Sequence, residues 1–150
     1  MEDREPSGKI EDDDAKPCAW PDWIRRTCWA IRQLPQSRRH SAATDLTAIS
    51  LMRSIESETI EPPRVQSIPD HRLKGRFGLS LHWQHKNRRV SVEIFDGHRV
   101  EIHTQRGALP PRVRTFRSVL PTRFLRGSLG WMHTDLYSPG RYLEWCVDGE

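Results

Sequence analysis

Leu79-Ser80-Leu81-His82-Trp83, Val90-Ser91-Val92-Glu93-Ile94 and Val100-Glu101-Ile102-His103 each alternate apolar with polar side chains. A period of two puts successive side chains on opposite faces of a strand, so these runs predict a three-stranded antiparallel meander with one apolar face. Register follows from setting apolar residues opposite one another, because a slip of one residue turns a strand over. Trp83 then pairs with Val90, Leu81 with Val92 and Leu79 with Ile94, leaving a turn centred on Lys86-Asn87. At the second turn a two-residue Asp96-Gly97 hairpin would set Ile94 opposite Arg99 and mix the faces. A three-residue loop Phe95-Asp96-Gly97, with Gly97 in the left-handed bulge position, instead pairs Ile94 with His98, Val92 with Val100 and Val90 with Ile102. The polar face then carries three rows: Ser80, Glu93 and Arg99; His82, Ser91 and Glu101; Gln84, Arg89 and His103. Glu93 and Arg99 form a cross-strand ion pair in this arrangement.

Upstream, Trp20, Trp23, Ile24, Cys28, Ile31 and Leu34 recur at helical intervals, predicting an amphipathic helix over 22–34 that Pro35 halts. A Ser41 or Thr44 cap with Asp45 in the first turn opens a second helix, whose Leu46, Ile49, Met52 and Ile55 share a face. Arg64 to Gly78 reads as an extended lead-in followed by a loop. Downstream, Val113, Phe116, Leu120 and Phe124 sit at helical intervals, yet Pro121 would break a single helix, so one or two short turns are expected. Trp131 to Tyr137 and Tyr142 to Val147 flank Ser138-Pro139-Gly140-Arg141, where Pro and Gly suit a type II turn, giving a C-terminal β-hairpin.

Length and composition narrow the classes of function. With 150 residues, 35% hydrophobic and 29% charged, the chain suits one small domain, and no apolar run of about 20 residues is present to span a bilayer. Its N-terminus lacks the basic start and apolar stretch of a secretory signal, which leads to the expectation of a cytoplasmic protein with no membrane partner. Cys18, Cys28 and Cys146 form neither a closed disulfide set nor a C-x-x-C pair, so they read as reduced thiols. Residues 1–16 hold seven acids against three bases, while the whole chain carries a formal charge of +4, so the body is strongly basic. That leader has almost no apolar side chain and is expected to be disordered over 1–19. Twenty arginines stand against four lysines. Arginine binds phosphate in a bidentate manner, although a biased codon usage produces the same excess without a site.

His82 and His85 are spaced H-x-x-H, but across a strand end and turn that spacing points the rings to opposite faces. His98 falls on the apolar face in the register above. His82 and Glu101 are placed two strands apart, about 10 Å, too far for a hydrogen bond. The chain has no G-x-S-x-G and no Gly-rich loop ending in Lys-Ser/Thr, and Gly75 with Gly78 is an isolated pair. Cys28 belongs to the core stripe of the first helix and Cys146 to a strand. The densest signal is basic: Arg106, Arg112, Arg114, Arg117, Arg123 and Arg126 lie within 106–126 with no acid, interleaved with Phe116 and Phe124. Such a segment can track a phosphate backbone and stack bases, though no recognised nucleic-acid motif surrounds it.

Pro63-Arg-Val65-Gln-Ser-Ile-Pro69-Asp70, then Leu79-Ser-Leu81-His-Trp83 and Val90-Ser-Val92-Glu-Ile94, give residues 41–103 a resemblance to a group of small uncharacterised bacterial proteins. These share a helix, a Pro-x-Val-x-x-x-Pro-Asp lead-in and a strand ending in Trp before two more strands. In that group Pro-Asp is usually followed directly by Gly-Gly, where this chain has His71 to Phe77. The resemblance implies an α+β architecture and carries no activity or site.

These readings predict an α+β domain over 20–147: two N-terminal helices packed on an antiparallel three-stranded meander, followed by a C-terminal β-hairpin. No cofactor or metal is expected. The expected role is non-enzymatic binding of a protein partner, with regulation as its purpose. The runner-up is nonspecific nucleic-acid binding through 106–126, and third comes an enzyme using His82, Glu101 or His103.

Overall fold

The structure, a computed structural model, describes residues 20–56, 61–96 and 98–133. It is an α+β fold in which helices α1 (Asp22–Arg32) and α2 (Ala42–Ser54) precede strands β1 (Arg64–Pro69), β2 (Phe77–His85), β3 (Arg88–Phe95), β4 (Arg99–Arg106) and β5 (Arg112–Arg117), and helix α3 (Thr122–His133) follows. A short 3₁₀ turn, Gln36–Arg38, links α1 to α2. The strands form one antiparallel sheet in the order β1-β2-β3-β4-β5, each hydrogen-bonded to its sequence neighbour. Among the described residues no helix is long and apolar enough to cross a membrane.

The expected three-stranded meander with two helices is therefore overturned: among the described residues the sheet has five strands, and a third helix packs on it. β1 was missed because Val65 and Ile68 are three apart and face opposite ways, while prolines flank the segment. An edge strand tolerates a proline at its end, where Pro69 stands. β5 and α3 were merged into one broken helical pattern. Phe116 belongs to the strand and Phe124 to the helix, and Pro121 sits just ahead of α3, where its carbonyl accepts from Leu125 N–H. Trp131, Met132 and His133, assigned to the first strand of a C-terminal hairpin, lie in α3; the remainder of that hairpin, from 134 on, falls outside the described residues.

All three helices cover one face of the sheet. Trp23, Ile24, Cys28 and Ile31 from α1, Ala48, Leu51 and Met52 from α2, and Phe124, Leu125, Leu129, Trp131 and Met132 from α3 join one core with sheet residues. The sheet contributes Leu79, Leu81, Trp83, Val90, Val92, Ile94, Val100, Ile102 and Phe116. Helix α1 ends two residues before the expected boundary, on the anticipated stripe. Helix α2 is capped by Ser41, whose Oγ accepts from Thr44 N–H at 3.2 Å. Its buried side is Thr44, Ala48, Leu51 and Met52; of the face expected from sequence, Met52 and Ile55 are buried and Ile49 packs against the core, while Leu46 is exposed. Apolar residues ring this helix nearly all round, so periodicity could not select the side that meets the sheet. Burial within α1 pushes the Cys28 thiol up, Arg32 opposing and Asp45 adding.

The β2 and β3 pairing is as read: Leu79 opposite Ile94, Leu81 opposite Val92, Trp83 opposite Val90. Between β3 and β4 the register is displaced by two residues, with Ile94 opposite Val100, Val92 opposite Ile102 and Phe95 opposite Arg99. Asp96, at φ 58, and His98 lie in the turn, and His98 is exposed rather than on the apolar face. The expected left-handed role of Gly97 falls outside the described residues.

Candidate functional site

The two-residue displacement rearranges the face of the sheet opposite the helices. Its rows are Gln66, Ser80, Glu93, Glu101 and Thr115, and beside it Arg64, His82, Ser91, His103 and Val113. Glu93 thus faces Glu101 instead of Arg99, and His82 and His103 flank Ser91 from neighbouring strands. The Ser91 Oγ lies 2.7 Å from His82 Nδ1. His103 Nε2 lies 3.3 Å from Glu101 Oε1 and 3.5 Å from Glu93 Oε1. A cavity of about 200 Å³ opens here, lined by both histidines, Ser91, Glu93, Arg89, Gln105 and Pro111.

One end of this face is roofed by the β1–β2 connection. Asp70, 4% exposed, accepts from Arg99 Nη2 at 3.0 Å and from Arg72 N–H at 2.9 Å. Arg99 lies 4.4 Å above the Phe95 ring, and its Nε, buried without a hydrogen-bond partner, stands 3.7 Å from Glu101 Oε2. Charges therefore alternate along the face: Asp70, Arg99, Glu101, His103, Glu93. Two carboxylates directly opposite repel, and here Arg99 stands beside Glu101 while His103 lies within 3.5 Å of both. Glu93, Glu101 and His103 bring donor atoms within 4.8 Å of one another, but with those charges already matched the group is an ion-pair network.

The two imidazoles sit in opposite electrostatic surroundings. Burial, then the charges of Arg64 and Arg89, hold His82 below the ordinary histidine value. Hydrogen bonding to Glu93, with Glu101 adding, holds His103 above it in spite of burial. Burial pushes the Asp70 carboxyl up, yet hydrogen bonds from Arg72 and Arg99 outweigh that and leave it below its ordinary range.

The basic segment divides into an edge and a helix. Arg112, Arg114 and Arg117 are exposed on β5, as is Arg106 at the end of β4. Arg123 and Arg126 lie on the outer side of α3, where Arg126 Nη2 donates to the Ser54 carbonyl at 2.8 Å. Phe116 and Phe124 are each 5% exposed, their ring centroids 5.4 Å apart in the core, with Arg114 over both rings. The expected stacking platform is therefore inside the protein. Among the described residues no strand pairs with the outer side of β5.

The His82, Ser91 and His103 row was missed because a shift of two preserves which face each side chain occupies. Both registers set apolar against apolar and close a loop of the same length, so only the position of the turn along the chain separates them. The one available signal was His98, which the chosen register forced onto the apolar face. The contact of Asp70 with Arg99 spans residues 29 apart and had no sequence signature. Comparison with known proteins adds no relative: no family model matches the chain, and neither a curated protein nor a solved structure is significantly similar to it.

Proposed function

We propose that this protein is an interaction module that takes an extended acidic segment of a partner protein along the β5 edge. The observation behind this reading is the exposure of Arg112, Val113, Arg114, Thr115 and Arg117 on a strand that ends the sheet among the described residues, with no acidic residue in 102–134. An edge strand offers main-chain donors and acceptors to an added strand, and alternating side chains supply selectivity. Arginines favour carboxylates on that incoming strand, and the exposed Val113, with Leu109, Val119 and Leu120 nearby, supplies apolar contact. With Phe116 and Phe124 in the core, base stacking no longer supports the nucleic-acid alternative at this edge.

The test uses a labelled peptide alternating glutamate with valine, followed by fluorescence anisotropy. Saturable binding is expected that weakens with salt and is lost when Arg112→Glu and Arg117→Glu are combined. A peptide N-methylated at alternate residues, unable to extend the ladder, is expected not to bind. Equal binding of the methylated peptide, or binding of single-stranded nucleic acid with none of the peptide, overturns the proposal.

A further inference from the structure

We propose that the cavity between His82 and His103 is an acid–base centre that cleaves phosphodiesters bearing a neighbouring hydroxyl, as in single-stranded RNA. The inference does not rest on the β5 edge; it rests on the row that crosses β2, β3 and β4.

His82, Ser91 and His103 are successive cross-strand partners on one face. With strands about 4.8 Å apart, the two histidine backbones stand about 10 Å apart. In-line displacement at phosphorus needs a base on the attacking side and an acid on the leaving side, and this span leaves room for a phosphate between them. The cavity both rings line is also lined by Arg89, whose guanidinium matches the non-bridging phosphate oxygens in charge and geometry. Each ring is anchored by a different partner: Ser91 on Nδ1 of His82, and the two glutamates on Nε2 of His103. The surroundings also differ in sign, arginines around the first ring and carboxylates around the second, which disfavours a proton on the first and favours one on the second. Titratable groups pushed apart in this way are the usual mark of an acid and its base.

In the tautomer where His82 Nδ1–H donates to Ser91 Oγ, the Nε2 lone pair takes the proton of the ribose 2′-hydroxyl. The 2′-oxygen forms a bond to phosphorus as the bond from phosphorus to the 5′-oxygen breaks. The leaving oxygen keeps the electron pair and takes the Nδ1 proton of His103, whose Nε2 stays on the two glutamates. One product ends in a 2′,3′-cyclic phosphate and the other in a 5′-hydroxyl. Water then opens the cyclic ester with the roles reversed: it yields a proton to His103, and His82 returns its proton to the 2′-oxygen. No metal or further reactant is consumed.

The full chain, in buffer containing a chelator, is incubated with a short fluorophore- and quencher-labelled RNA of mixed sequence. Cleavage is expected to leave cyclic-phosphate ends, seen by mass spectrometry, and to spare the same sequence made with 2′-deoxyribose. The rate should follow a bell in pH, His82→Gln removing the acid limb and His103→Gln the alkaline limb, each with a loss of about 10²-fold or more. Arg89→Ala, exposed and outside the core, should raise KM and leave the fold as judged by circular dichroism unchanged. No cleavage by the wild-type chain, cleavage that persists at the wild-type rate in His82→Gln, or cleavage abolished by the chelator overturns the proposal.

Discussion

Gly78 lies beneath the ring of Phe95, and a Cβ there would stand 2.6 Å from both the Ile94 carbonyl oxygen and Phe95 Cδ1. The first of these atoms belongs to the sheet backbone and cannot move aside. Gly78→Ala is expected to destabilise the protein by about 1–3 kcal/mol, read as a lower urea midpoint at unchanged slope. Near the other end of the same face, His103 links stability to pH. Its folded value is raised, so its contribution is complete below about pH 6.5 and is lost as pH rises through the higher folded value. His82 behaves oppositely: its depressed folded value costs nothing above about pH 6.5 and destabilises as pH falls below it. Urea titrations across this range should show the stability difference between wild type and His103→Gln shrinking as pH rises. A difference that grows with pH would contradict the ion-pair network. His103 itself was plain in the sequence, but its glutamate neighbours were not, because they depend on a register that hydrophobic alternation leaves undecided by two residues.

Helix α3 is held to the sheet by its apolar stripe and by one buried charge. Arg88, 7% exposed at the start of β3, donates from Nη1 to the Trp131 carbonyl at 2.6 Å and lies 5.3 Å from the centre of the Trp131 ring. That carbonyl belongs to the last turn of α3, where intrahelical partners run out. Arg88→Met is expected to cost about 1.5–3 kcal/mol, the range for a hydrogen bond to a charged group. Hydrogen exchange should show α3 amides losing protection before those of β3. Exchange that accelerates uniformly would mean that Arg88 does not act on this helix. Strong patterns were legible at this scale: the stripe of α1, the cap at Ser41, and the alternation in β2, β3 and β4. Elements whose side chains meet only one neighbour were not legible. β1 and β5 sit at the edges, half exposed, and their residues do not need to alternate. The stripe of α3 is present as Phe124, Leu125, Leu129 and Met132, but a proline such as Pro121 reads equally as a break within a helix or, as here, as the residue just before one.

Across the molecule a single core joins elements from both ends of the described chain, and Trp23, Trp83 and Trp131 report on it from α1, β2 and α3. Equilibrium unfolding should therefore be one cooperative transition, with tryptophan fluorescence and far-ultraviolet circular dichroism giving coincident curves. Trp29 is 64% exposed, so Trp29→Phe should remove background fluorescence and leave the midpoint unchanged. Separated curves would mean that the helices and the sheet melt as distinct units. Neighbouring positions along β2, β3 and β4 answer to different demands: Leu81, Val92 and Ile102 must fill space under the helices, while His82, Ser91 and His103, one residue away, make no call on that space. Two sets of constraints are thus interleaved in the same stretch of chain, and a lineage could exchange one ligand for another at these alternate positions while inheriting its scaffold intact.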